Sequence, residues 1–309
     1  MLDIVGKRGW YFLFSAIIMV IALISLIMPP GWATLNSGLN PGIDFTSGSV
    51  LDVTFSEPVD QNLVYEEMKN LGRPEALVQT TGANSVIIRT KVLNESEGSS
   101  ESERQSIQRH LEKAISPIDS LAFDSISPII ARETIRNAVF AMLAASVFIL
   151  MYIWYAFRRA PKAYRYGISA IIALVHDVII TVGIFSLLSF EINLSIIAAV
   201  LTIVGYSMND TVVIFDRVRE NLKKYSDIKI FDLTNISINE TLSRTIITSV
   251  TTLLALLSIF IFGGAILKGF SFAMILGVIV GTYSSIYIAN PILVRLNVSQ
   301  KTILKEDKD

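Results

Sequence analysis

The sequence predicts an α-helical polytopic membrane protein with six transmembrane helices and a small α+β domain between spans 1 and 2. Of its 309 residues, 52% are hydrophobic and only 17% are charged, whereas a soluble domain carries about 25% charged residues. The mean hydropathy is +0.55. The apolar residues are concentrated in long stretches, and roughly 20 of them in a row suffice to cross a membrane as a helix.

Six stretches meet this length requirement, and four of them contain no charged residue. The predicted spans are residues 11–28, 138–157, 166–190, 192–215, 245–267 and 269–294. The chain then divides into a first segment with span 1 (1–30), an external domain (31–131), spans 2 to 6 (132–295) and a tail (296–309). Span 1 is too long for the apolar core of a typical signal peptide, so we expect an uncleaved anchor.

The orientation follows from lysine and arginine in the short loops. Basic residues precede span 1, follow span 6, and fill the connections between spans 2 and 3 and between spans 4 and 5. The short loops on the other side hold only Glu191 and Lys268 as charged residues. Both termini are therefore predicted to be cytoplasmic, with the domain after span 1 outside.

Composition excludes several kinds of protein. The chain has no cysteine and two histidines, so disulfides, cysteine-ligated zinc and cysteine nucleophiles are impossible, and no HExxH zinc motif is present. The net charge is -1, which gives no global field for nucleic acid. We expect no enzyme activity, no metal, no cofactor and no nucleic-acid partner.

The external domain has the order β-α-β-β-α-β of a ferredoxin-like split βαβ unit. Its first strand alternates Leu51, Val53 and Phe55 with polar residues, as a half-buried strand does. The predicted elements are a strand 49–55, a helix capped by Asp60, strands 76–80 and 86–90, a helix 104–115 and a strand 121–126. His110 lies alone on the second helix and is interpreted as a solvated surface histidine.

Asp210 lies five residues inside the predicted end of span 4. A charged residue at the centre of a span costs roughly 2.5–3.5 kcal/mol on insertion scales and marks a cavity, a partner or an ion path. Arg244 begins span 5, which is antiparallel to span 4, so both side chains can share a depth. Asp can exchange a proton and Arg cannot usefully do so. With the adjacent Asn209, they form a predicted proton pathway; the alternative is a static ion pair.

Two further ionisable residues, His176 and Asp177, lie about eleven residues into span 3. Adjacent helical residues point about 100° apart, so the two side chains are expected to face different partners. A proton relay and structural polar packing remain equally open. Asp216 and Arg217 fall at the predicted membrane interface, where they either cap span 4 or take part in gating.

Small residues recur every four positions along span 6, at Ala273, Gly277, Gly281 and Ser285. Such a ribbon lets another helix approach closely, so Gly277 and Gly281 are interpreted as helix-packing residues rather than a pore lining. The Asn290–Pro291 pair predicts a kink or an end of this helix. The basic connection after span 4 is expected to fix topology and to contact lipid headgroups.

Four segments together resemble the SecD/SecF family of bacterial protein-export membrane proteins, and within it SecF. They are GYSMNDTVVIFDRVREN (205–221), TLSRT (241–245), GFSFAM (269–274) and PGIDFT (41–46). The resemblance covers nearly the whole chain, and the span 4 segment is long and specific. One departure is Ser47-Gly48, where the family has two glycines; it bears on the local backbone only.

The resemblance implies a proton-driven transporter half of the RND superfamily in the bacterial cytoplasmic (inner) membrane. It implies SecD as partner, together with the SecYEG translocase, YajC, YidC, the translocating preprotein and membrane lipids. The pair is expected to pull or release polypeptides on the outer side, driven by the proton motive force. The family's proton path has an Asp in span 4 and an Arg in span 5, which match Asp210 and Arg244.

Other functions are consistent with charges inside a membrane. An RND-type, proton-coupled exporter half for lipid or small molecules would need them equally, although such exporters usually carry both halves in one chain. A scaffold that only stabilises a partner would tolerate Asp210→Asn. An intramembrane protease is disfavoured, because the sequence has neither HExxH nor a paired-aspartate signature across spans 4 and 5.

Overall fold

The computed structural model describes residues 2–27, 38–93, 102–158, 163–225 and 228–296. The chain divides into two compact units. The membrane unit comprises Met1–Asn40 and Phe140–Asp309, and the sheet domain comprises Pro41–Val139. Nearly all of the Ser/Glu-rich segment 94–102 and of the predicted tail lie outside the described residues.

Within the described residues, six helices are long and apolar enough to cross a membrane, which confirms the predicted fold class. Spans 1 to 6 are Arg8–Ile27, Pro128–Phe157, Tyr164–Leu187, Leu194–Lys224, Ile230–Phe262 and Leu267–Leu296. The most apolar stretches of spans 3, 4 and 6 are at least half buried, and those of the other three are less than a fifth buried. Spans 3, 4 and 6 therefore form the centre of the membrane unit.

The ends of spans 4 and 5 differ from the prediction. Span 4 continues past Phe215 to Lys224, so the prediction that Asp216 and Arg217 cap it is wrong. The helix of span 5 begins at Ile230 instead of near Arg244. Both extensions are amphipathic, with Val218 and Asn221 almost fully buried on span 4. An apolar stretch ends at its first charged residues, whereas the helix continues wherever one face still packs.

The sixth helix is interrupted by a π-helical turn. It runs as an α-helix over Gly264–Ser284, as a π-helix over Ser285–Ala289, and resumes through residue 296. Pro291 has no N–H to donate, yet the helix does not end there, contrary to one of the two predicted outcomes. The Asn290 side chain donates to the Ser285 carbonyl (2.6 Å) and the Ser169 hydroxyl donates to that of Ala289 (3.1 Å), so carbonyls in the turn find polar partners.

The sheet domain has the predicted ferredoxin-like order. Its strands follow the two-residue strand β1 (Asn40–Pro41) and are β2 (Gly48–Phe55), β3 (Leu77–Thr80), β4 (Ser85–Thr90) and β5 (Ile118–Ile126). They form an antiparallel sheet in the order β3-β4-β2-β5, and the helices Gln61–Asn70 and Glu103–Ala114 connect β2 to β3 and β4 to β5. A short helix, Ile43–Thr46, precedes β2.

The core of the sheet domain lies between the sheet and its helices. Leu51, Val53 and Phe55 of β2 pack with residues of β4 and of both long helices. The first of these helices begins at the predicted cap, because the Asp60 carboxylate accepts from the backbone N–H of Asn62 (2.9 Å). His110 is partly exposed and lies 2.7 Å from Glu67.

Ser47 adopts a backbone conformation that glycine prefers, with φ 62° and ψ 165°. This region is essentially restricted to glycine, and a side chain there costs roughly 1–3 kcal/mol. We expect Ser47→Gly to stabilise the sheet domain by about 1 kcal/mol, after allowing for the extra freedom of glycine in the unfolded chain. Amide hydrogen exchange of β2 and β4 in the full chain measures this.

Ser47→Ala is the matched control. It removes the hydroxyl but keeps a Cβ, so it should not slow exchange. If alanine and glycine stabilise the domain equally, backbone strain at residue 47 is not the cause.

Candidate functional site

Three side-chain contacts fix how spans 4 and 5 face each other. The Tyr206 hydroxyl donates to Thr252 (3.4 Å), and the Arg217 guanidinium donates to Glu240 (2.6 Å). The Asn221 amide donates to Ser237 (2.9 Å). In this antiparallel register residue 210 lies opposite residue 248, and Arg244 lies opposite residue 214. Asp210 and Arg244 were expected to share a depth in the membrane, but they are offset by four residues, about 6 Å at 1.5 Å per residue.

Asp210 is buried inside the membrane unit, with 3% of its surface exposed. Its Oδ2 atom has no hydrogen-bond partner among the described residues, and the same holds for the Oγ1 atom of buried Thr245, next to Arg244. Most buried carboxylates are hydrogen-bonded because an unpaired charge in an apolar medium is costly. Asp210 is thus a carboxyl group whose partners are incomplete in this arrangement.

Arg244 is near enough for its charge to act on the Asp210 carboxyl. The two groups form no ion pair within 4 Å in the described part of the chain, so the static ion pair is not the arrangement observed. Arg244 is exposed and instead lines a cleft of about 310 Å³. Tyr152, Ala156, Phe157, Val212, Val213, Asp216 and Arg219 line the rest of it.

Five charged residues at the basic end of spans 4 and 5 are paired with one another. Asp216 is exposed and lies 2.6 Å from Arg219 on the same helix. Arg217 lies 2.6 Å from both Glu220 and Glu240, and so joins span 4 to span 5. These residues border the cleft or the helix contact, but none of them reaches Asp210.

Asn209 points away from the other described helices. It is exposed, as are Thr202 and Gly205 on the same face of span 4, and a Cβ at Gly205 would meet nothing within 4 Å. Asn209 and Asp210 are therefore not brought together, since adjacent helical residues point about 100° apart. A polar, small-residue face within a span is unsuited to lipid and suited to another helix.

His176 and Asp177 bind each other and different neighbours. The Nδ1 atom of His176 lies 2.9 Å from Asp177 Oδ1, and its Nε2 atom lies 2.7 Å from the Ser15 hydroxyl of span 1. The Oδ2 atom of Asp177 accepts from the hydroxyls of Ser207 in span 4 (2.6 Å) and Ser284 in span 6 (2.7 Å). All five side chains are at least nine-tenths buried. We call them the Asp177 cluster.

Ser15, Ser207 and Ser284 are not among the site residues that the sequence predicts. Serine is common in membrane helices, where it often bonds to its own helix, so residue type gave no signal. The one usable signal for Ser284 was its place beside the ribbon of small residues in span 6, since small residues mark where helices meet.

Gly277 and Gly281 lie where span 6 meets span 4. A Cβ at Gly277 would lie 2.2 Å from a side-chain carbon of Ile203, and one at Gly281 would lie 2.9 Å from the Cβ of Ser207. Both positions are buried. The second glycine thus places span 6 directly against a member of the Asp177 cluster.

No group of three or more His, Cys, Asp or Glu side chains in the described ranges could hold a metal ion. Among the described residues of the membrane unit, the buried carboxyl groups are those of Asp177 and Asp210. Asp177 has both oxygens hydrogen-bonded, and Asp210 has one unpaired oxygen near an arginine.

Two family models match the chain. Residues 103–299 match the model described as "Protein export membrane protein SecD/SecF, C-terminal", and residues 32–59 match that of the SecD/SecF GG motif. The chain belongs to the SecD/SecF family. The first match contains Asp210, Arg244 and the Asp177 cluster except Ser15, and the second contains the strained Ser47.

Curated SecD/SecF relatives align with this chain over most of their length. "Protein translocase subunit SecF" of Rhodobacter capsulatus is 37% identical over 313 residues, which cover 97% of this chain and 90% of the relative. The protein of the same name from Haemophilus influenzae is 40% identical over 286 residues, covering 92% and 82%.

Two solved structures of SecDF have the same fold. That of Thermus thermophilus, described as a translocon-associated membrane protein, superposes with a TM-score of 0.82 at 32% identity over 96% of this chain. A "super-membrane-facing form" of SecDF gives 0.66 at 31% identity over 99%. This chain spans only 38% and 40% of those two chains.

Proposed function

We propose that this chain is a proton-motive-force-driven accessory subunit of the Sec protein translocase. It acts with a SecD partner to pull or release translocating polypeptides on the outer side of the bacterial inner membrane. Support comes from the relatives named as protein translocase subunits and from the likeness to SecDF. Basic residues in alternate connections support cytoplasmic termini.

The observation that carries the proposal is the incomplete pairing of Asp210. It is buried with an unpaired oxygen, and Arg244 lies about one helical turn away without touching it. A movement of span 5 along span 4 by one turn would bring the guanidinium to the carboxyl group. The carboxyl group would hold a proton when Arg244 is distant and release it when Arg244 arrives, since an adjacent cation favours the carboxylate.

The proton motive force is large enough for this task. One elementary charge that crosses 100 mV supplies about 2.3 kcal/mol, which biases a two-state movement by about fifty-fold. The cleft that Arg244 lines is also lined by Asp216 and Arg219 at the basic end of span 4, which supports access to Arg244 from that side. Protons are then the coupling ion, and no further cofactor is involved.

The proposed partner is a second half of the transporter. The exposed polar face of span 4, with Thr202, Gly205 and Asn209, is a surface for it. SecDF chains are more than twice as long as this chain, which supports SecD as the missing half. SecYEG, YajC, YidC and the preprotein are proposed as further partners from the family resemblance, and lipids from the apolar outer faces.

Photocrosslinking during export tests the function. A photoreactive residue in place of Leu77, which is 68% exposed on β3, is expected to label a stalled secretory precursor. The same probe in place of Phe262, exposed at the end of span 5, should label lipid instead. Labelling of lipid or small molecules by the Leu77 probe, with no precursor adduct, would support the exporter half and contradict the proposal.

A further inference from the structure

The Asp177 cluster is a buried polar group that the proposed proton exchange at Asp210 does not use. It joins four helices, because Ser15 belongs to span 1, His176 and Asp177 to span 3, Ser207 to span 4 and Ser284 to span 6. Both oxygens of Asp177 accept hydrogen bonds, three in total. The three donor–acceptor distances are 2.6–2.9 Å, which is the range of well-formed hydrogen bonds, so the cluster joins these helices firmly.

One end of the cluster lies a single turn from Asp210. Ser207 precedes Asp210 by three residues on span 4 and donates to Asp177. Its carbonyl accepts from Thr211 (3.2 Å) and from Ser285 of span 6 (3.1 Å), whose hydroxyls lie 2.8 Å apart. A displacement of the Asp210 turn therefore moves groups that are bonded to spans 3 and 6.

The other end of the cluster lies on span 1, which contacts span 3 at several levels. Besides the Ser15–His176 contact, the Ser25 and Ser186 hydroxyl oxygens lie 3.0 Å apart. Between them, a Cβ at Gly183 would lie 2.3 Å from the Cβ of Ala22. Spans 1 and 3 are thus in close contact at the level of Ala22 and Ser25, although a cleft of about 460 Å³ lies between them beside Ser15 and His176, and these contacts should make the two helices move together.

Span 1 precedes the sheet domain in the sequence, and span 2 follows it. Span 2 presents large exposed side chains along most of its length, including Phe140, Phe148 and Trp154. Span 1 also exposes large side chains, such as Phe14 and Ile24, but it is held to span 3 by the contacts of Ser15, Ala22 and Ser25.

We propose that the Asp177 cluster couples the Asp210 turn of span 4 to span 1. In this inference, which rests on the proposed function, His176 and Asp177 are positioning residues. They transmit a displacement of span 4 through span 3 to span 1, which precedes the sheet domain in the sequence, without carrying the transported proton. Within a membrane no water replaces a lost partner, so the connection persists while the helices move.

The order Ser15–His176–Asp177 also occurs in hydrolases, but nucleophilic catalysis does not fit here. Ser15 lies inside a continuous helix, Arg8–Ile27, whose backbone N–H groups are used in the helix itself. The serine thus lacks the free N–H donors that stabilise an oxyanion. The cluster is a set of contacts between helices.

The test separates proton uptake from export in vesicles that contain the full chain, its SecD partner and the translocase. Asp177→Asn and Ser284→Ala should lower export of a precursor about tenfold. Proton uptake, followed with a pH-sensitive dye, should stay within twofold of the unmodified protein. The matched control is Ser271→Ala, since Ser271 is equally buried on span 6 but donates to the Leu267 carbonyl of its own helix (2.7 Å). It should leave both rates within twofold.

A covalent link should rescue the coupling. Ser15→Ala is expected to lower export several-fold, and in that background Ser25→Cys with Ser186→Cys ties span 1 to span 3 on oxidation. The chain has no other cysteine. Oxidation should restore export to within twofold, and reduction should abolish the rescue.

The inference is overturned if Asp177→Asn and Ser284→Ala export normally, or if they lose proton uptake together with export. Should Asp177→Asn fail to accumulate, Ser284→Ala carries the test, because it removes only one of three donors. Failure of the proposed function has a different signature: Asp210→Asn would then export normally, whatever the cluster variants do.

Discussion

Asp210→Asn is expected to reduce proton-driven export to the background of vesicles without the subunit, a loss of at least tenfold. Asparagine has the same shape as aspartate but cannot carry a proton at this site. The chain should still fold and bind its partner, because Oδ2 has no hydrogen-bond partner to lose among the described residues. Precursor export with and without an ionophore, together with co-purification of SecD, measures the outcome.

Two further variants sharpen this experiment. Arg244→Met removes the cation that approaches Asp210 in the proposed exchange, and it should give the same loss. Asp232→Asn is the control, since Asp232 is an exposed carboxylate in the first turn of the span 5 helix and should change export little. If Asp210→Asn exports normally while the ionophore still stops export, another group carries the proton. If the ionophore has no effect on the unmodified protein, the proton-driven function itself is wrong.

Gly277→Ala is expected to destabilise the membrane unit by about 1–3 kcal/mol, the usual cost of overpacking. The new Cβ would lie 2.2–2.6 Å from three side-chain carbons of Ile203, so spans 4 and 6 would have to separate. This separation would also disturb Ser207, one turn further along span 4. Unfolding in mixed detergent, read by the loss of helix, measures the change.

Ile203→Ala removes the three carbons that the new Cβ would meet, so a double-mutant cycle isolates the contact. The pair Gly277→Ala with Ile203→Ala should be more stable than the sum of the single changes predicts. Gly167→Ala is the control, because a Cβ there meets nothing within 4 Å. An additive cycle would show that the close approach of spans 4 and 6 does not set stability.

The sheet domain could be predicted almost completely, because its elements are short and each carries a local signal. Leu51, Val53 and Phe55 alternate with polar residues, which predicts a strand, and Asp60 caps the start of the helix that follows. Span existence was equally clear from hydropathy. Span ends were not, because Val218 and Asn221 are buried by neighbouring helices beyond the apolar stretch. That is tertiary information, which a hydropathy window does not contain.

The candidate site, too, could be predicted from the sequence only in part. Sequence alone identifies Asp210 and Arg244 as candidates, because an ionisable residue within a span is rare. It placed them at one depth, whereas the contacts between spans 4 and 5 offset them by a turn. The sequence did not identify the partners of His176 and Asp177. The two side chains touch each other because side-chain torsions can bring adjacent helical residues together even though their Cα–Cβ bonds point about 100° apart. Asn209 was grouped with Asp210 although their side chains face different directions, which only the packing of span 4 reveals.

The π-helical turn Ser285–Ala289 gives the sixth helix one residue more than a regular α-helix would hold over the same stretch. Deletion of one of its residues would turn it into a regular α-helical turn, and the helix after it would keep roughly the same face towards its neighbours. The almost fully buried Leu293 and Val294 would then stay in place, whereas Asn290 would lose the five-residue spacing at which its side chain reaches the Ser285 carbonyl. A single-residue deletion in this turn should therefore be tolerated better than one in the α-helical part of span 6, where it would rotate the following residues by about 100°.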